Sequence, residues 1–288
     1  MAGGGEAQNP VLHFKSAAAR DNFAAWDWLM IRNEDVYGLA EVAAGYARQS
    51  DLQPPEETIL RLMLPNLPKA RMLDLGVGGG RTTLHFAKWA REYVGTDYSE
   101  SMIRECRQRF STYPDHISFA VCDARSMEMF ASGSFDFILF SFNGIDYVAH
   151  ADRLKILKEV RRVGKPGGWF CFSTHNLNSF VQLFELSRMV SLNPRLAVRT
   201  AKRLRSRLLN WRVRAATVKH SPHMVINDGA HDRQLRTYYV RPEEQLAQLT
   251  DEFTEVKVFS LVTGAEIGNQ IQLRDVEDSW LYYLCRIR

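Results

Sequence analysis

Asp74, Gly76, Gly78, Gly80, Asp97 and Asp123 are the residues of this 288-residue sequence whose types and spacing could do chemistry together. The stretch LDLGVGGGRTT, residues 73–83, sets glycines at 76, 78, 79 and 80 directly behind an apolar run. Such crowding marks a turn where the backbone bends sharply or is approached closely. The dinucleotide fingerprint G-x-G-x-x-G would need a further glycine at position 81, and Arg81 stands there. Asp74, two residues before the first glycine, would repel a pyrophosphate at the neighbouring helix N-terminus but would hold an ammonium group by a charge-assisted hydrogen bond. Asp97 lies 21 residues after Gly76, the distance at which a carboxylate accepts from both ribose hydroxyls. Asp123 follows a third apolar run, where it could take an adenine amino proton while the backbone of Ala124 reads the ring edge. A nucleoside that also carries an ammonium group satisfies all three acids.

The elements that must hold these residues are legible from Ala70 onward. Short apolar runs alternate with helical patterns, the signature of βαβ units and a parallel sheet. RMLDLG, EYVGTD, ISFAVCD, FDFILFSF and WFCFSTH read as five strands, with RTTLHFAKWARE, SESMIRECRQRF and RLKILKEVRRV as helices between them. Ser99 is the expected N-cap of the second helix, and GKPGG stops the third. After residue 176 the pattern breaks. NPRLAVRTAKRLRSRLLNWRVR places Ala197, Ala201, Leu204, Leu208 and Trp211 on one helical stripe among arginines. A strand-like YYV, the helix PEEQLAQLTDEF and the strands EVKVFSLV and WLYYLCRI finish the chain, the last two joined by a long connection.

The motifs LDLGVGGGRTT, VGTDYSESMI, AVCDARSM, FDFILFSFNGIDYV and VGKPGGWFCFSTHN follow one another in an order and spacing similar to those of class I methyltransferases dependent on S-adenosylmethionine. The resemblance covers about Met72 to His175 well and the rest loosely. It implies an α/β, Rossmann-like, doubly wound seven-stranded sheet, mostly parallel with an antiparallel last strand, plus a helical lid insertion. The implied organisation is an N-terminal helical lid segment over 1–69, a cofactor-binding core over 70–176, a basic helical insertion over 177–236 serving as substrate lid, and a C-terminal helix with closing strands over 237–288. By the same resemblance Asp74, Gly76, Val77, Gly78 and Gly80 serve the methionine part of S-adenosylmethionine, and Asp97 the ribose. Tyr98 serves one adenine face, Asp123 and Ala124 its edge, and Phe140 and Ser141 line the cofactor near its sulfonium; Met102 and Arg125 complete the expected cofactor-binding set. Tyr46, or else Tyr37, would close over the cofactor from upstream.

Methyl transfer from a sulfonium is an in-line displacement in which alignment does most of the work. A base is needed only when the acceptor must lose a proton. Asn143 and Asp146 in FNGIDYV and His175 in FSTHN lie past the strand ends that would face the cofactor and are the candidate catalytic residues; His175 alone has ordinary imidazole chemistry for the base. His220, His223, His231 and Asp232 surround Pro222 without cysteines or a helical H-E-x-x-H, and no metal is expected.

Composition narrows the class. The chain is 45% hydrophobic and 24% charged, the balance of a soluble globular protein. It has no run of ~18 apolar residues and no apolar leader at its start, so a cytoplasmic location is expected, with Cys106, Cys122, Cys171 and Cys285 reduced. Residues 177–236 carry twelve Lys or Arg against three Asp or Glu, a surplus exceeding the whole chain's net charge of +4. An anionic or carrier-bound small-molecule acceptor of an O- or N-linked methyl group is the first expectation. An RNA or other nucleic-acid methyltransferase, or a non-catalytic cofactor-binding scaffold, is the alternative. Trp211 is the one aromatic among these arginines, and SFNG stands where base-methylating relatives carry an asparagine-proline-proline-tyrosine type motif, which argues against nucleic acid. A homodimer is compatible with the sequence.

Overall fold

A computed structural model of the chain describes residues 50–181, 210, 215–227 and 236–288. Tyr37, Tyr46 and the predicted stripe from Ala197 to Leu208 with Trp211 lie outside these residues.

Strand β1 (Arg71–Leu75) begins in the middle of the sheet, and the chain then moves outward through β2 (Glu92–Asp97) to β3 (Ile117–Val121). It returns past β1 to β4 (Phe135–Phe140) and β5 (Gly164–Asn176), every pair in parallel register. The strand order therefore reverses between β1 and β4, and in such sheets the carboxyl ends beside the reversal form the ligand crevice. Strand β9 (Trp280–Ile287) runs antiparallel between β5 and β8 (Phe253–Ser260).

Alternation explains the layering. Along β1, Met72 faces one cluster and Leu73 and Leu75 the other; along β4, Phe137 and Leu139 oppose Ile138 and Phe140. Both faces must be covered, as the near-continuous apolar runs anticipate. One face carries helix α1 (Pro54–Met63), the single short turn α2 (Thr83–Phe86) and the 3-10 turn Leu67–Lys69. The other carries α4 (His150–Val163) and a helix at Pro242–Leu249. Helix α3 (Glu100–Arg109) packs Ile103 and Cys106 with Val77 and Phe110, and Ser99 caps it as expected, its hydroxyl accepting from Met102 N. The described part of the predicted lid 1–69 is core: Ile59 of α1 is fully buried.

The strand count departs from the sequence expectation. The sheet has nine strands rather than seven, because β6 (His223–Ile226) lies inside the segment expected to be helical and pairs antiparallel with β7 (Thr237–Val240). His223, Val225 and Ile226 sit too close to Pro222 and to masking polar residues for a strand to stand out. Short helices α5 (Leu177–Val181) and α6 (Ala215–His220) precede the hairpin, α7 (Pro242–Leu249) follows it, and α8 (Gln270–Asp275) lies in the long connection before β9. Register places the hairpin: His175 pairs with both Tyr239 and Trp280, while β4 stops pairing at Phe172. β7 thus takes the edge of β5 that β4 vacates, above the carboxyl end of β4.

Candidate active site

The glycine turn is shaped first by its own protein. Gly76, Gly78 and Gly80 all have positive φ, at 60°, 53° and 78°, where only glycine is unstrained. A Cβ on Gly76 would stand 2.8 Å from the Phe140 ring, and one on Gly80 2.3 Å from the Phe110 ring. Close approach by internal aromatics thus accounts for two of these glycines without any guest. Phe140 lies beneath the turn, 5% exposed, with its ring also against Gly144.

Asp97 ties the turn to β2: Oδ2 accepts from Gly78 N at 3.1 Å and Oδ1 from Ser99 N at 2.9 Å. Burial pushes its carboxyl up, and the two N–H bonds offset only part of that. Two ribose hydroxyls would supply the donors that this carboxylate is short of. Tyr98 beside it is 40% exposed, a ring face at the mouth of the crevice. Met102 is buried behind it.

Asp74 behaves differently from the expectation of a direct ammonium partner. It is 1% exposed, and its Oδ2 accepts from Thr82 Oγ1 and Tyr93 Oη, both at 2.5 Å. Burial pushes its carboxyl up to about 6 against those two bonds. Its first work is to pin α2 and β2 to the end of β1. Asp123 is also engaged: Arg125 donates Nε to Oδ1 and Oδ2 at 3.0 and 2.9 Å and its backbone N to Oδ1 at 2.8 Å. Burial alone would raise the Asp123 carboxyl, but Arg125 outweighs it and holds it below the usual range. Arg125 also reaches Asp152, Nη1 to Oδ2 at 3.7 Å, and Ala124 between Asp123 and Arg125 is half-buried.

Ser141, just past the end of β4, has partners within the protein. Its hydroxyl bonds Glu56 and lies 2.9 Å from Tyr282 Oη, inside a network that the sequence did not announce. Arg81 grips Glu56 with both nitrogens, Nη1 to Oε2 at 2.5 Å and Nη2 to Oε1 at 2.6 Å, and Nη1 also donates to Asp51 O at 3.0 Å. Tyr282 donates to Gln53 Oε1 at 2.7 Å and Glu56 Oε1 at 2.8 Å. Burial would raise the Glu56 carboxyl; the guanidinium of Arg81 reverses that and holds it low. The residue that breaks the dinucleotide fingerprint is thus a clamp fastening α1 to the glycine turn. The available signal was Glu56 three residues past Gln53, whose backbone N it accepts at 2.7 Å in a capping arrangement.

At the next strand ends the three candidate catalytic residues come together. Asp146, on a 3-10 turn at Gly144–Tyr147, accepts at Oδ2 from His175 N and from His175 Nδ1, both at 2.7 Å. Asn143 Nδ2 lies 3.3 Å from His175 Nε2. The Asp146 carboxylate accepts from Nδ1–H, while Nε2 is the ring nitrogen that faces Asn143. Phe142 and Asn143 both have positive φ, 57° and 62°, a costly pair for residues with side chains, and Ser173 Oγ holds Asn143 N at 2.8 Å. Asn143 Oδ1 is buried without a hydrogen-bond partner. Tyr239 and Trp280 pack on the imidazole at 4.9 and 5.8 Å between centroids.

Residues 72–168 match the family model of a methyltransferase domain. Over that stretch the chain is similar to methyltransferase domains. The domain resembles the ubiquinone/menaquinone biosynthesis C-methyltransferase UbiE of Burkholderia mallei, with 36% identity over 104 residues, 35% of this chain and 41% of that protein. The chain spans less than half the length of the curated relatives it matches. Its fold is that of an S-adenosylmethionine-dependent methyltransferase from Mesorhizobium loti, with a TM-score of 0.54, 20% identity and coverage of 81% and 97% of the two chains. It is also that of the 1,6-didemethyltoxoflavin N1-methyltransferase of Burkholderia thailandensis, crystallised with its acceptor and S-adenosylhomocysteine, with a TM-score of 0.50, 17% identity and coverage of 81% and 76%. The order β3-β2-β1-β4-β5-β9-β8 puts Asp74, Asp97, Asp123, Ser141, Asn143, Asp146 and His175 at or just past carboxyl strand ends. No helix among the described residues is long and apolar enough to cross a membrane.

Proposed function

We propose that this protein transfers the methyl group of S-adenosylmethionine to an O or N atom of a small, anionic or carrier-bound molecule. The residues at the glycine turn fit the cofactor: a cradle opened by three positive-φ glycines, and the under-supplied Asp97 carboxylate where ribose donors would sit. When bound, the cofactor supplies an electrophilic methyl group on a sulfonium. Gly76, Gly78 and Gly80 would hold its methionine part, Asp97 its ribose and Tyr98 one adenine face; Asp123 would reach the adenine edge only by sharing its oxygens with Arg125.

The observation that carries the acceptor chemistry is the convergence of Asp146, His175 and Asn143 at the ends of β4 and β5. His175 Nε2 would take the proton that the acceptor O–H or N–H group loses. Asp146 keeps Nδ1–H in place, and Asn143 orients the outer edge of the ring. Tyr239, Trp280 and the hairpin β6–β7 close the acceptor side and restrict water. The basic surplus over 177–236 favours an acceptor with negative charge.

The test is a screen of anionic metabolites with labelled cofactor, followed by H175Q. The expected result is a product whose new bond is C–O or C–N, with kcat reduced ~10²–10⁴-fold in H175Q at unchanged cofactor affinity. A new C–C bond, or H175Q turning over normally, would overturn the assignment of acceptor or base.

A further inference from the structure

Arg153 stands on the apolar stripe of α4, in register with Ile156, Leu157 and Val160, and its side chain is fully buried. All five of its N–H donors have acceptors. Nη1 donates to Asp146 Oδ1 at 2.5 Å and Ile145 O at 3.3 Å, Nη2 to Thr174 Oγ1 at 3.1 Å and to Gln245 Oε1, and Nε to Gln248 Oε1 at 3.3 Å. Thr174 Oγ1 passes its own proton to Asp146 Oδ1 at 2.6 Å. Asp146 therefore receives Arg153 and Thr174 on one oxygen and His175 on the other. The guanidinium also lies 4.8 Å over the Tyr238 ring, and the next residue, Tyr239, packs on His175.

We propose that Arg153 is a positioning residue for His175: by balancing the Asp146 charge it leaves the imidazole neutral, with its proton on Nδ1 and a lone pair on Nε2. This rests on the reading of His175 as the base. An isolated buried carboxylate is costly, and a neighbouring imidazole can relieve it by taking a second proton. Such an imidazolium could accept nothing from a substrate. The charged and titratable groups of the described residues that face this cluster include Asp146 from the turn, Arg153 and His150 from α4, Tyr238 and Tyr239 from β7, His223 from β6, Glu243 and Glu244 from α7 and Tyr283 from β9; Asp146 and Arg153 form the fully buried ion pair there. Gln245 and Gln248 bring α7 into the same arrangement, so the guanidinium fixes the depth of Asp146 relative to three elements.

The experiment reads the ring directly. Protein labelled with ¹⁵N-histidine is examined by long-range ¹H–¹⁵N spectra at neutral pH, with His175 assigned by the signal lost in H175Q. Wild type is expected to show the neutral form protonated at Nδ1. R153M is expected to show both ring nitrogens protonated, with kcat lower by ~10²-fold and cofactor Kd changed less than twofold. R153Q, which keeps a hydrogen-bonding amide without the charge, gives the same readout if R153M does not fold, and R153K should keep the neutral ring. A wild-type-like ring in the charge-free variants overturns the proposal, as does a wild-type ring already protonated on both nitrogens. The spectra need neither cofactor nor acceptor, so a protein that binds no S-adenosylmethionine would sink the proposed function while leaving this result standing.

Discussion

Replacing Arg81 with methionine tests the clamp between α1 and the glycine turn. The side chain of Glu56 is 0% exposed and that of Arg81 10% exposed, so the substitution strands a carboxylate away from water. Removing one partner of a buried pair costs about 3–5 kcal/mol. With a urea m-value of ~3 kcal/mol/M, that lowers the unfolding midpoint by about 1–1.7 M. Adding E56Q removes the stranded charge while keeping an acceptor for Ser141 and Tyr282, so E56Q/R81M should recover most of the loss. The pH dependence fixes the cause. Arg81 holds the Glu56 carboxyl below its ordinary 4.5, so this pair stabilises the wild type above that pH and stops doing so as pH falls through the lowered value. In R81M the buried carboxyl prefers its proton, so the penalty should shrink as the pH is brought from 7 to 4. Urea melts of the three proteins at both pH values check this. A loss under ~1 kcal/mol, or one independent of pH, would refute the argument that the pair is dry and mutually dependent.

Asp74 makes the opposite prediction. Its carboxyl, raised by burial from 3.8 to about 6, opposes folding increasingly as pH rises across that interval, by roughly 3 kcal/mol once ionised. D74N should therefore melt like wild type near pH 4 and be more stable at pH 8; equal stability at pH 8 would contradict the burial argument. Gly80→Ala places a methyl group 2.3 Å from the Phe110 ring at a φ of 78°, and thermal melts should show a loss of about 1–3 kcal/mol that F110L relieves only in part. Full rescue would mean that backbone strain contributes nothing there.

Much of the fold was legible because its strands are buried on both faces and bounded by strong punctuation. Gly76 to Gly80, Ser99 and the GKPGG run mark turns by steric necessity, and the acids at 74, 97 and 123 fall where strand ends must lie. Strand β6 was not legible: three half-buried residues and the buried Ile226 after Pro222 carry no periodicity, and only pairing with β7 makes them a strand. The roles were harder than the places. Asp74 and Ser141 lie at the expected strand ends, but their partners Tyr93 and Glu56 are chosen by packing of distant segments, which spacing along the chain does not encode, whereas Asp123 takes Arg125, two residues on. Arg81 read as an absent glycine and proved to be a clamp. Arg153 had a signal, an arginine on an apolar helical stripe, yet among arginines on a charged helix only burial distinguishes it. His175, Asp146 and Asn143 converge because β4 and β5 are adjacent and parallel, so residues just past their ends share one rim.

The central claim is that the glycine turn and Asp97 hold S-adenosylmethionine. Calorimetric titration of wild type and D97A with S-adenosylmethionine, S-adenosylhomocysteine and NAD tests it most directly. The account predicts that wild type binds both adenosyl sulfur compounds and not NAD, and that D97A loses both. Binding of NAD, or undiminished binding of S-adenosylmethionine to D97A, would contradict it.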